Sequence, residues 1–366
     1  MYLREGLEKI SFKVAKIDEC LFYQDKTMFV VYVDDGIVVD KDMNKVQQVV
    51  KDLKEAGYDI EDKSTINDYL GVNFTYLDEK TIELTQPQLI QQIIEDSKIM
   101  KKKFVPPQTP AKSSKILQRY KDSKPHDRAW HYRSLIGKLN YLEKSSRPDI
   151  AYAVHQCARF SSDPKIEHAQ AVEHLVKYLA GTKNKGVLMK PDIGPMLEVY
   201  ADADFSGNWN KNTAEYDVST AKSRSGFVIC FAKVPIMWTS KLQTQIALST
   251  TEAEYMALSS ALREAIPLTE LVQEMTERRI VHLPNHSKVY CKCFEDNSGA
   301  LELARTPKLR PRTKHINIIY HHFRDAVKKG IVEIFAITTE NQMADILTKP
   351  LNQNLFVKHR KKMIGW

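Results

Sequence analysis

Hydrophobic spacing divides the chain into stretches of different texture. Met28-Phe29-Val30-Val31-Tyr32-Val33 is a β-branched and aromatic run leading into Asp34-Asp35-Gly36, and Ile37-Val38-Val39 leads away, which predicts a hairpin with the two acids at its tip. Between His131 and Gly181 the spacing turns helical. Tyr132, Leu135, Leu139 and Leu142 share one face, Ala151, Val154 and Ala158 a second, and Ala169, Val172, Val176 and Leu179 a third. Asp163-Pro164 reads as the N-cap and first position of the last of these helices, and Gly181 as its end. Further on, Leu197, Val199 and Ala201 alternate with Glu198, Tyr200 and Asp202, so period two places one apolar face on a core and Asp202 on the opposite face. Gly226–Phe231 and Pro235–Thr239 complete a three-stranded antiparallel meander, and Val289–Phe294 and Ile331–Ala336 add a fourth and a fifth strand.

Two proline-bearing breaks, Pro106-Pro107-Gln108-Thr109-Pro110 and Pro191 to Pro195, give the expected segments 1–108, 109–194 and 195–366. The fold class is α/β (α+β).

Composition narrows the function classes. There are 54 Lys and Arg against 46 Asp and Glu, and the net charge of +8 suits a polyanionic partner. Five scattered cysteines argue against a disulfide framework and for a reducing compartment. His282, His286, Cys291 and Cys293 hint at zinc, but Cys-x-Cys within a strand is not the usual spacing. Nothing approaches the ~20 apolar residues of a membrane span, so the expectation is a protein neither secreted nor membrane-bound.

The chemistry lies in the acids. Asp34 and Asp35 serve either as plain turn residues or as Mg²⁺ ligands. Asp202 is either a solvated strand end or a ligand, and Asp204 shares its parity, so periodicity does not choose between them. Ser249 and Glu252 have capping-box spacing at a helix start, whereas Glu254 aligns with Leu258, Ala261 and Ala265 on the inward face. Glu254 is either a glutamate at the exposed edge of that stripe or a buried carboxylate, which demands a proton, a partner or a metal. Asp296 ends the fourth strand, and Thr339 with Gln342 is expected to cap the helix that carries Asp345. Pro267 predicts a break in the long helix near Ile266. Lys138, Lys144, Arg147 and Arg159 are candidates for phosphate contact.

Tyr32-Val33-Asp34-Asp35, Tyr69-Leu70-Gly71 and Thr85-Gln86-Pro87 resemble, in order, the YVDD box and following motifs of copia-type retrotransposon reverse transcriptases. Tyr132–Leu142 and Arg147-Pro148-Asp149 resemble their thumb and connecting region. Tyr200–Asp204, Ser225-Gly226-Phe227, Leu248–Tyr255, Asp296-Asn297, Arg312–Ile316 and Ala344–Leu351 resemble their ribonuclease H domain. The resemblance implies a truncated palm, a helical thumb/connection region and a ribonuclease H-like domain with a five-stranded mixed sheet. It assigns metal binding to Asp202, rather than Asp204, with Glu254, Asp296 and Asp345, and the cofactor to two Mg²⁺ ions, with Mn²⁺ as the alternative. Arg310, Arg312, Lys314 and His315 would hold the backbone of an RNA/DNA hybrid, and His321 and His322 would assist proton transfer or lie on a helix surface. The expected activity is hydrolysis of the RNA strand of hybrids. In the family a third polymerase aspartate lies upstream of the hairpin, and Asp18 and Asp25 sit in no such motif, so Asp34 and Asp35 read as a residual half-site with DNA synthesis lost by N-terminal truncation. Implied partners are the hybrid, an RNA template and a longer Pol chain, in the cytoplasm (virus-like particles) or nucleus. The alternative is a non-catalytic transposon remnant or nucleic-acid-binding protein.

Overall fold

A computed structural model of the chain describes residues 2–99, 103–112, 116–127, 129–192, 197–282, 289–306 and 318–366. Two compact units emerge: Met1–Ile66 with Ile266–Tyr290, and Asn67–Ala265 with Cys291–Trp366.

In the first unit, α1 (Tyr2–Lys9) and α2 (Met43–Glu55) accompany an antiparallel sheet of β1 (Lys13–Val14), β2 (Leu21–Gln24), β3 (Thr27–Tyr32) and β4 (Asp35–Val39), paired in chain order. Leu7, Phe12, Phe22, Phe29, Val49 and Leu53 form its core. Leu271, Met275 and Ile280 pack on a second small cluster of Ala15, Leu21 and Tyr23, and Glu274 accepts the Lys16 N–H at 3.1 Å. The hairpin forms as expected, but Tyr32 pairs with Asp35, so the turn is Val33-Asp34 and lies one residue earlier than the acids and glycine suggest. Val33 takes φ 54°, a strained value for a β-branched residue.

The second unit holds β5 (Asp68–Tyr69), β6 (Val72–Asp78), β7 (Thr81–Thr85) and β8 (Val187–Met189) in one antiparallel sheet. Leu70 and Gly71, at φ 52° and 70°, make the two-residue turn between β5 and β6, which gives the Tyr-Leu-Gly motif its geometry. Helices α3 (Pro87–Ser97), α4 (Tyr132–Ser145), α5 (Ala151–Ala158) and α6 (Ile166–Gly181) follow, with the predicted apolar faces inside. The start of α6 is a correction: Lys165, not Asp163, is the N-cap, and its N–H is taken by His168 Nδ1 at 2.9 Å.

The last sheet comprises β9 (Leu197–Asp204), β10 (Arg224–Phe231), β11 (Val234–Leu242), β12 (Cys291–Glu295) and β13 (Val332–Ala336) in the order β11-β10-β9-β12-β13. The β9–β11 meander is antiparallel, while β12 runs parallel to β9 and to β13, giving the expected five-stranded mixed sheet. Around it lie α7 (Thr250–Glu277, as far as Ala265), α8 (Ser298–Arg305), α9 (Arg324–Lys328), α10 (Asp345–Thr348) and α11 (Gln353–Ile364).

One hydrophobic core runs from Ile90 and Leu139 through Val172, Tyr200 and Trp238 to Leu347 and Met363, and Trp238 Nε1 donates to the Glu143 carbonyl at 2.8 Å. Helical middle and mixed sheet therefore bury surface against each other. Among the described residues, no helix is long and apolar enough to cross a membrane.

Three expectations change. β9 has no solvated face: Glu198 and Tyr200 are buried as well as Val199 and Ala201, because the strand is central in the sheet. The helix does not break at Ile266: α7 is continuous through Pro267, which lies inside it and removes one backbone donor. What changes at Ile266 is the compact unit to which the helix contributes. Arg147 is not free for phosphates: it is fully buried and bidentate to Asp149 at 2.8 Å for both bonds. Arg159 bonds Gln156 and Ser219, and Lys138 pairs with Asp96 at 2.8 Å.

Candidate metal centre

Asp202 lies two positions before the end of the β9 ladder, opposite Gly226 of β10. A Cβ on Gly226 would stand 2.7 Å from Thr348 Cγ2 and 2.8 Å from Leu347 Cβ, so glycine here lets α10 close over the strand. Two neighbours from that end of α10 reach Asp202: the Thr348 hydroxyl donates to Oδ2, and Lys349 Nζ lies 3.1 Å from Oδ1.

Glu254 projects from the first turns of α7, buried, and its Oε2 accepts the Ala203 N–H at 2.6 Å. Glu252 instead closes the cap, accepting from Leu248 N–H at 2.7 Å while its own N–H donates to Ser249 Oγ at 3.1 Å. Asp296 follows β12 and accepts from Thr339 Oγ1 at 2.7 Å. Asp202, Glu254 and Asp296 thus converge from a strand, a helix and a strand end, each offering one oxygen within 4.8 Å of the others. Asp204, which shares the parity of Asp202, is not in this group.

The fourth expected acid, Asp345, is buried at the start of α10 and connected to Asp202 through Lys349, whose Nζ is 2.9 Å from Asp345 Oδ1. The role given to Thr339 and Gln342 also needs correction. Neither caps α10, whose N-cap is Ala344; Gln342 is fully buried and its Nε2 donates to the Ala201 carbonyl at 2.8 Å and the Phe294 carbonyl at 3.3 Å, tying β9 to β12 beside the acids.

Electrostatics mark this cluster as short of positive charge. Burial, then Asp202, Glu295 and Asp296, push the Glu254 carboxyl up to about 11. Burial and then the charge of Asp202 lift Asp345 to about 7, against the lowering effect of Lys349. Glu295 is a fifth acid that motif reading passes over, pushed to about 8 mainly by burial. Its signal was present, because Cys291, Cys293 and Glu295 share the inward parity of β12. Lys349 was missed too, although it stands four residues after Asp345.

Asp34 and Asp35 are exposed on the hairpin, and among the described residues no third acidic, histidine or cysteine ligand joins them. Arg310, Arg312, Lys314 and His315 lie outside the described residues. His321 Nδ1 is 2.8 Å from Tyr255 Oη, and His322 is exposed.

Sequence comparison agrees with the motif order. The reverse transcriptase (RNA-dependent DNA polymerase) family matches residues 2–111. The retrovirus-related Pol polyprotein from transposon RE1 of Arabidopsis thaliana is 30% identical over 99% of this chain, and that from transposon TNT 1-94 of Nicotiana tabacum 31% over 95%. The chain belongs to the copia-type retrotransposon Pol polyproteins. It spans about a quarter of these relatives, 23% and 25% of their lengths. Among solved structures, the N-terminal ribonuclease H domain of a Mycobacterium tuberculosis protein, fused to maltose-binding protein, covers 46% of this chain and 98% of its own at 13% identity and a TM-score of 0.29.

The donor set fits a hard divalent cation. Three carboxylate oxygens with no thiolate or imidazole among them suit Mg²⁺ or Mn²⁺. A carboxyl held near 11 by burial and then by its acidic neighbours is the group whose proton such a cation would displace.

Proposed function

We propose that this Pol segment hydrolyses the RNA strand of RNA/DNA hybrids, with Asp202, Glu254 and Asp296 holding Mg²⁺ and Asp345 completing the acidic centre. The observation that carries the reading is the convergence of three acids from three separate elements at the end of the central strand. When bound there, divalent ions supply Lewis-acid stabilisation of charge on the scissile phosphate and a lowered pKa for water. The chain's own groups do the positioning: the Ala203 N–H fixes Glu254, Thr348 fixes Asp202, and Thr339 fixes Asp296. We assign 1–108 to a palm fragment, 109–194 to a thumb/connection region and 195–366 to the nuclease, and place the chain outside the secretory route, with a hybrid, an RNA template and a longer Pol chain as partners. Arg310, Arg312, Lys314 and His315 are proposed to hold the hybrid backbone.

The test is a labelled RNA/DNA hybrid incubated with Mg²⁺ and either the parent protein or Asp202→Asn. Mg²⁺-dependent cleavage by the parent alone is expected; a parent that binds the hybrid without cutting it supports the alternative, a non-catalytic binding protein. That alternative draws on the pairing of Asp202 and Asp345 with Lys349. Primer extension on an RNA template is expected to give no product, because Asp34 and Asp35 have no third ligand among the described residues. Extension by the purified chain would overturn this.

A further inference from the structure

We propose that Lys349 is a tethered cation that fills the Asp202–Asp345 half of the acidic centre and must withdraw before that half accepts a divalent ion. The proposal rests on the metal-centre reading above and deepens it.

Its basis is geometric. Lys349 Nζ lies 3.1 Å from Asp202 Oδ1 and 2.9 Å from Asp345 Oδ1, and those two carboxylates are 1% and 3% exposed. An ammonium between two buried carboxylates takes the place that a bridging cation would otherwise hold. The Lys349 side chain is 32% exposed, so its stem has a route to solvent that the acids lack. Its backbone is anchored: Lys349 is the extended C-cap of α10, at φ −127° and ψ 149°, and Pro350 follows and disfavours a helical alternative. A displaced ammonium therefore remains close by as a competitor.

The two halves of the centre share Asp202 but are not equivalent. The Asp202–Glu254–Asp296 half has oxygens within 4.8 Å and no basic side chain bonded to Glu254 or Asp296 among the contacts described, whereas the other half carries its own positive charge. A first divalent ion enters the open half with Lys349 in place. A second pays for displacement, and if the lysine is engaged about 90–99% of the time its apparent affinity falls by about 10–100-fold. Ion stoichiometry at the centre then depends on a side chain that is not a ligand, and Lys349 acts as a positioning residue that separates a one-ion from a two-ion state.

Mn²⁺ titration of the full chain by calorimetry, without nucleic acid, tests this. The parent is expected to bind one ion at low concentration and a second at least about tenfold more weakly, and Lys349→Gln to tighten the second by about tenfold or more. Lys349→Arg keeps the charge and should retain the weak second ion, which guards against loss of folding in the glutamine variant. Equal second-ion affinity in parent and Lys349→Gln would overturn the proposal while leaving the metal centre standing. Failure of parent and both folded variants to bind any Mn²⁺ would bring down the metal-centre reading and the proposal with it.

Discussion

Replacing Glu254 by glutamine should reduce Mg²⁺-dependent hybrid cleavage by roughly 10²–10³-fold or more, while raising the melting temperature of the metal-free protein above about pH 6. The two effects have one origin. Without a divalent ion the buried carboxyl is held up to about 11 by burial and then by Asp202, Glu295 and Asp296, against 4.5 for an ordinary glutamate. A folded-state value above the unfolded one means the folded chain keeps a proton that the unfolded chain releases. The associated stability is complete below about 4.5 and erodes as pH rises toward the folded value, so the metal-free parent should melt lower at pH 8.5 than at pH 6. Glutamine keeps the shape and a carbonyl to accept the Ala203 N–H, but has no proton to lose, so the variant should show a flatter pH profile. Divalent ions should reverse the parent's slope, because a ligand must shed its proton to bind: the melting-temperature gain from Mn²⁺ should grow between pH 6 and 8.5 and vanish in Glu254→Gln. Differential scanning fluorimetry at four pH values, with and without Mn²⁺, measures all of this. A glutamine variant with the parent's metal response would remove Glu254 from the centre.

How far this centre was legible in the sequence depends on the range of the interaction. Glu254 and Glu252 could be told apart because helical periodicity is local, and structure keeps them in different tasks, one inward and one at the cap. The strands of the mixed sheet were readable from alternation and β-branched runs. Asp202 and Asp204 were not separable, since parity is equal and only packing of Glu254 and Asp296 against one of them distinguishes the pair. Glu295 could have been found by parity along β12, but adjacent Asp296 absorbed the motif. Lys349 lies 147 residues from Asp202, and no local pattern links them. The same limit explains Gln342: its spacing from Thr339 imitates a capping box, while its amide is spent on carbonyls of β9 and β12. Arg147 was a phosphate candidate as one of four basic side chains in the helical middle, and its partners Thr182 and Trp366 are distant in sequence.

That arginine carries the largest expected effect on stability. Arg147 and Asp149 are both fully buried and joined by two 2.8 Å bonds. Arg147 also donates to Thr182 Oγ1 at 2.9 Å, Tyr178 Oη donates to Asp149 Oδ2 at 2.7 Å, and the guanidinium stands 5.3 Å from the Trp366 ring centroid. Arg147→Met fills similar volume but strands the Asp149 carboxylate with one hydroxyl donor in place of a bidentate cation. The expected cost is about 3–5 kcal/mol, a fall of about 10 °C in melting temperature for a unit of this size. Because most of that cost is the orphaned charge, Arg147→Met combined with Asp149→Leu should recover more than half of the loss, and Asp149→Leu alone should be as damaging as Arg147→Met. If Arg147→Met melts with the parent while its hybrid affinity falls, the arginine serves phosphate contact rather than stability. A double variant no better than the singles would instead assign the loss to packing against Tyr178 and Trp366, which the methionine cannot reproduce.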